Sequence, residues 1–132
     1  MATLGELREG VATQLQTISG LRSYSYQPMA ARPPMAFVLP DTVDYDLDNF
    51  RGADRTNLAI TVMVALTDDR AAQATLDDYV FGDNSVKKAV EADRTLGGIA
   101  DTCRVVEMRN YGSITFGDQQ YIGCEFVVEV IS

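Results

Sequence analysis

The chain has 132 residues, 46% of them apolar and 23% charged, which suffices for one domain with a proper core and is too little for two. Its 11 basic and 19 acidic residues give a net charge of −8, which argues against nucleic acid as an affinity target, because phosphate binding draws on clustered Lys and Arg. The chain has no histidine, so imidazole ligation of zinc and the usual Ser-His triads are excluded, and no apolar run approaches the ~20 residues that span a bilayer.

Thr3 followed by Glu6 reads as a capping box, and Leu4, Leu7, Val11, Leu15 and Ile18 recur at helical spacing, so a helix is expected over about 3–19, stopped by Gly20. From Leu21 to Pro34 the Tyr, Ser and Pro content reads as a short extended segment and then an irregular connection. Met35 to Leu39, closed by Pro40, is expected to be a strand. A further strand is expected over 42–50, with Val43, Tyr45 and Leu47 anchoring one face and Asp44, Asp46 and Asp48 on the other. Its hairpin partner is Arg55 to Leu66, where Leu58, Ile60, Val62, Val64 and Leu66 share a face. Asp68 or Asp69 caps a helix that the Phe81-Gly82-Asp83-Asn84 stretch breaks, and Ser85 caps another running to about Arg94, before Gly97-Gly98. Two strands follow, Thr102 to Asn110, extended through a kink at Gly112 to Phe116, and Tyr121 to Ile131, with Gly117-Asp118 as the tight turn. Ile122, Cys124, Phe126, Val128 and Val130 form a core stripe.

This order indicates an α+β single domain over residues 1–132, an antiparallel β-sheet with N-terminal and central helices packed on one face.

The candidate chemistry is thin. Asp44 to Asn49 resembles the start of a calcium loop, yet the sixth position is Asn49 where Gly is needed and the twelfth is Arg55 where a bidentate Glu is needed. Gly97-Gly98 lacks the Lys-Ser or Lys-Thr of a phosphate loop. Cys103 and Cys124 have no metal or redox spacing; pairing about the turn puts Cys124 near Tyr111 or Gly112 and Cys103 beyond its partner's end, so both read as small core residues. Tyr24, Tyr26, Tyr45 and Phe50 could be a stacking platform, but without a basic groove they read as interface or core. No catalytic residue, cofactor or metal is expected.

Four segments then suggest a family: Ser23 to Pro28, Pro33 to Pro40, Asp69 to Tyr79, and Ser85 to Asp93. Together with Val105 to Val130 and its Arg109-Asn110-Tyr111-Gly112, the chain resembles the tail terminator group of neck proteins in long-tailed bacteriophages, over nearly its whole length. The resemblance implies a virion subunit, made in the host cytoplasm, that forms a homo-hexameric ring at the head–tail interface. It also implies that the ring ends tail-tube growth, contacts the tail-tube protein and the head–tail connector, and lets DNA through its lumen without specific binding. Closely similar folds serve as tube or connector (stopper or adaptor) subunits, and a protein-binding adaptor outside a phage is the other reading. In such a ring Asp44, Asp46 and Asp48 are expected on the lumen or against an adjoining ring, with Phe50, Arg51, Asp54 and Arg55 as contacts at the hairpin tip.

Overall fold

The capping box forms as the sequence requires: Thr3 Oγ1 accepts from the Glu6 N–H at 3.1 Å, and the Thr3 N–H donates to Glu6 Oε1 at 3.3 Å. The helix it starts, α1 (Leu4–Leu15), buries Leu7, Val11, Ala12 and Leu15. It stops short of the expected residue 19, although Ile18 and Leu21 stay buried in the turns that follow. A computed structural model describes residues 3–18, 20–45, 54–65, 69–82 and 84–132.

Next come β1 (Arg22–Tyr24), β2 (Met35–Asp44), β3 (Arg55–Ala65), α2 (Asp69–Phe81), α3 (Val86–Glu91), β4 (Thr102–Phe116) and β5 (Gln119–Ile131). The five strands form one sheet in the order β1-β2-β3-β5-β4, so the chain is α+β. Two expectations are corrected here. The sheet is mixed, because β1 lies parallel to β2, with Arg22 opposite Met35. And Pro40 does not close a strand: β2 continues through it to Asp44, with a register shift between Pro40 and Thr42. A proline is tolerated there because β1 pairs only with Met35 to Phe37, so beyond Phe37 the other side of β2 is open and no ladder bond needs an N–H.

The partner of β3 is the whole of β2, from Met35 opposite Met63 to Asp44 opposite Arg55. The hairpin expected between 42–50 and 55–66 is thus met only over 42–44, and most of the pairing comes from the 35–40 segment that was expected to be a separate strand. The strand ends at Asp44, and Tyr45 is 76% exposed, so it is no anchor; Leu47, Leu66 and the capping position at Asp68 lie outside the described residues. Ser85 caps α3 through the Lys88 N–H at 3.4 Å, but this helix ends at Glu91 rather than Arg94.

Strands β4 and β5 pair from Phe116 opposite Gln119 to Thr102 opposite Ile131. Gly117 makes the turn at φ 62°, a conformation that costs glycine nothing. Along the way β4 carries one extra residue between Val105 and Glu107 and another between Arg109 and Gly112. Asn110 sits in the second bulge at φ 56°, which Asn tolerates better than most side chains. The two bulges draw Cys103 back opposite Val130, where straight counting from the turn had put it beyond the end of β5.

One large core joins Leu7, Val11 and Leu15 of α1, Leu76 of α2 and Val90 of α3 to alternate residues of the strands, Leu58, Ile60, Val62, Cys124, Phe126 and Val128 among them. The intervening strand residues Met35, Phe37 and Met63 make a second, smaller cluster, flanked by Tyr24, Ala31 and Phe116. Gly123 is fixed by close approach: a Cβ there would stand 2.2 Å from the Val62 carbonyl oxygen. Phe126 is 2% exposed within the large core. Phe126→Ala should therefore lower the unfolding free energy by about 3 to 5 kcal/mol in denaturant titration; a loss below about 1 kcal/mol would show that the ring is not packed as described.

Candidate functional site

Of the residues singled out on the hairpin, Asp46, Asp48, Phe50 and Arg51 lie outside the described residues. The other three belong to its base, and this corrects the expectation that Asp54 and Arg55 form the tip. Asp54 exchanges two backbone hydrogen bonds with Ser132, at 2.8 and 3.0 Å. Arg55 stands between Asp44 on β2 and Ile131 on β5. Its guanidinium reaches Asp44 at 4.0 Å and Glu129 at 3.6 Å, and its buried Nε makes no hydrogen bond, so Glu129 serves it through charge.

The acid at this end of the sheet is thus largely offset by arginine. Arg104 lies 3.9 Å from Glu129. Arg109 gathers Glu125 at 3.2 Å, Asp41 at 3.5 Å and Glu107 at 3.8 Å. Five carboxylates against three arginines leave this strip at −2. Each such half-exposed pair contributes only about 0 to 1 kcal/mol; the strip sets a pattern of charge more than it holds the fold. Sequence reading missed it because the partners meet only across strands, although Arg109 opposite Glu125 and Arg104 opposite Glu129 follow directly from the register.

The second feature is an open groove of about 420 Å³ between the end of α2, the start of α3 and the β4 edge, with Val80, Phe81, Val106 and Met108 on its walls and Phe126 among its lining residues. Phe81 is 94% exposed, Val106 42% and Met108 37%. On one side Tyr111 ties β4 to α2 by donating to Asp77 Oδ1 at 2.7 Å. Burial, helped by Asp77, pushes the Tyr111 phenol up to about 12.

On the other side α3 closes the edge of the sheet. Glu91 Oε2 accepts from the Val105 N–H at 3.0 Å, and Lys87 Nζ donates to the Val105 carbonyl at 3.2 Å while also pairing with Glu91. Arg94 reaches the same carboxylate at 2.9 Å. Burial works against the Glu91 charge, but the Lys87 and Val105 hydrogen bonds and the two cations outweigh it, so its pKa is lowered from 4.5. A lowered carboxylate pKa stabilises the fold above the unfolded value and loses that stability as pH falls through the folded one.

Among the described residues of the aromatic set, Tyr45 does not join Tyr24 and Tyr26, and Phe50 lies outside the described residues. Tyr24 and Tyr26 meet edge to face with centroids 6.0 Å apart, but Tyr45 follows the far end of β2, ~25 Å along the strand from the β1 pairing. Both cysteines are free and buried. Burial, with a smaller push from Glu91, raises Cys103 to about 11; burial and Glu125 raise Cys124 to about 12.

No family model matches the chain, and no curated protein matches it.

Two measurements check this chemistry. Glu91→Gln should cost about 1 to 3 kcal/mol at pH 7 and flatten the fall in stability below pH 4.5; an unchanged acid profile would mean that Glu91 does not carry the β4 edge. With Ellman's reagent at pH 8 the folded protein should show no fast-reacting thiol, and both should appear on denaturation; a fast thiol in the native state would contradict the burial of Cys103 and Cys124.

Proposed function

We propose that the chain is a structural subunit of the neck of a long-tailed bacteriophage, a tail terminator that closes into a homo-hexameric ring, ends the tail tube and joins it to the head–tail connector. The observation that carries the reading is the groove at the β4 edge, where Phe81, Val106 and Met108 stay exposed on a small domain whose charged strip is already paired within the chain. Apolar surface of that kind marks a protein contact more often than a solvated face. The segments that resemble the terminator group fall on β1, β2, α2, α3 and the bulged β4–β5 pair, so the resemblance follows the elements of the sheet domain. A ring of identical subunits uses closed, head-to-tail contacts.

Charge supports the lumen role. Six copies at −8 carry a formal −48, and a channel of that sign lets duplex DNA pass without adhering. Asp44 is 58% exposed and only loosely held by Arg55, so part of its charge stays available to the lumen or an adjoining ring. Screening acts over ~8 Å at physiological salt, so the effect is a short-range one.

Light scattering of the purified chain, alone and with the tail-tube subunit of the same phage, tests the reading. The expected species with the tube subunit is a ring of six 14.4 kDa chains seated on a tube; failure to bind the tube subunit would contradict the terminator role. Replacing Asp44, Asp46 and Asp48 together with Asn should leave the fold intact, and should slow DNA ejection or weaken neck joining in a salt-dependent way. Normal infectivity of that variant would reduce the three to solubility residues.

A further inference from the structure

Among the described residues, the smaller apolar cluster takes none from a helix, yet Met35 and Met63 are fully buried and Phe37 nearly so. Two parts of the chain cover them. One is the end of the β4–β5 hairpin, which curls over the sheet: β3 and β5 separate β2 from β4 by about 14 Å at the usual strand spacing, and still the rings of Phe37 and Phe116 have centroids 6.4 Å apart. The other is the connection from β1 to β2, residues 25–34. Its Ala31 packs on the cluster, and its Arg32 N–H donates to Met35 Sδ at 3.1 Å.

This connection is lightly held. It forms no helix or strand, none of its residues is buried, and Met29 at its middle is fully exposed. Among the described residues its hydrogen bonds fall on its last three positions, and Arg22 makes most of them. The guanidinium donates from Nη1 to the Arg32 carbonyl at 3.1 Å and to the Pro33 carbonyl at 3.3 Å, while the Arg22 backbone N–H donates to the Pro34 carbonyl at 3.2 Å. Between Gly10 and Pro40 the chain has no acidic residue, so no neighbour in sequence draws that guanidinium away.

What flanks the connection is better fixed. Ser23 Oγ donates to the Ala12 carbonyl of α1 at 2.9 Å, and β1 pairs with β2 from Arg22 to Tyr24, while β2 pairs along its whole length with β3. A segment with few hydrogen bonds and no buried residue opens at lower cost than the paired strands it lies on. Its two ends stay in place when it does.

We propose that residues 25–34 form a strap, latched by the Arg22 guanidinium, that opens as one unit from the folded sheet and uncovers Met35 while the large core stays closed. Closed, the strap shields one side of the apolar cluster; open, it presents that side, so Arg22 sets how often this apolar surface is accessible. The strap acts within a single chain and does not depend on the ring reading.

Oxidation by hydrogen peroxide, followed residue by residue by mass spectrometry on the full chain, tests it, with thiol labelling run alongside. Peroxide converts an accessible methionine to its sulfoxide. Met29 gives the rate of an open methionine, Met35 reports the strap, and Cys124, buried in the large core, reports opening of the whole domain. In the unaltered protein the rate of Met35 relative to Met29 should exceed the rate of Cys124 relative to the same thiol in the denatured chain. Arg22→Ala, which removes the charged donor from both carbonyls, should speed Met35 oxidation about tenfold and leave Met29 oxidation and Cys124 labelling unchanged. Equal ratios for Met35 and Cys124 in the unaltered protein would overturn the strap, because Met35 would then be reached only by global unfolding; that comparison needs no variant. An Arg22→Ala chain in which Met35 and Cys124 speed up alike, or in which Met35 does not speed up, would overturn the latch.

Discussion

The Glu91 carboxylate decides what the open edge of this sheet can do. By accepting from the Val105 N–H, with Lys87 on the Val105 carbonyl, it spends the two backbone groups that β4 would otherwise offer to another strand. A long edge strand is a template for unspecific pairing. Here α3 caps that template and leaves a groove of side chains in its place, so that recognition depends on shape and apolar contact and not on backbone hydrogen bonds. The same carboxylate anchors Lys87 and Arg94, so the end of α3, the following turn and the middle of β4 are held by one group whose ionisation survives below the ordinary range.

Where a residue's environment is set by its own strand, the sequence was a sufficient guide. The stripe Ile122, Cys124, Phe126, Val128 and Val130 is buried throughout, as a period of two requires for a strand flanked by β3 and β4. Capping by Thr3 and by Ser85 was equally local. The misreadings occur where a distant partner decides. Nothing within Arg22–Tyr24 says that it lies parallel to Met35–Phe37. Nothing in the alternation of 42–50 says that pairing stops at Asp44 and exposes Tyr45. The displacement of Cys103 came from two single-residue bulges, each invisible to a count from the turn.

The candidate site was less legible than the fold for the same reason. Its groove is assembled from the end of α2, the start of α3 and the middle of β4, three segments that carry ordinary apolar residues and no motif. Phe81 next to the helix-breaking Gly82 was the one local signal, since a large ring at a helix end that faces solvent needs a partner. The acidic hairpin drew attention through its spacing, yet its described base is a network in which Arg55 serves both Asp44 and Glu129. Fold alone does not assign function; the proposal of a phage neck subunit rests on a family resemblance together with an exposed apolar groove.

The proposed neck role is tested most directly by electron cryomicroscopy of tailed particles assembled in the presence of this chain, read at the head-proximal end of the tail. On that proposal a single layer of six copies is expected there, with the sheet domains in one circle. A layer of three, five or twelve copies, or a tail end that lacks the chain, would contradict the terminator assignment, and twelve copies would make it a connector component instead.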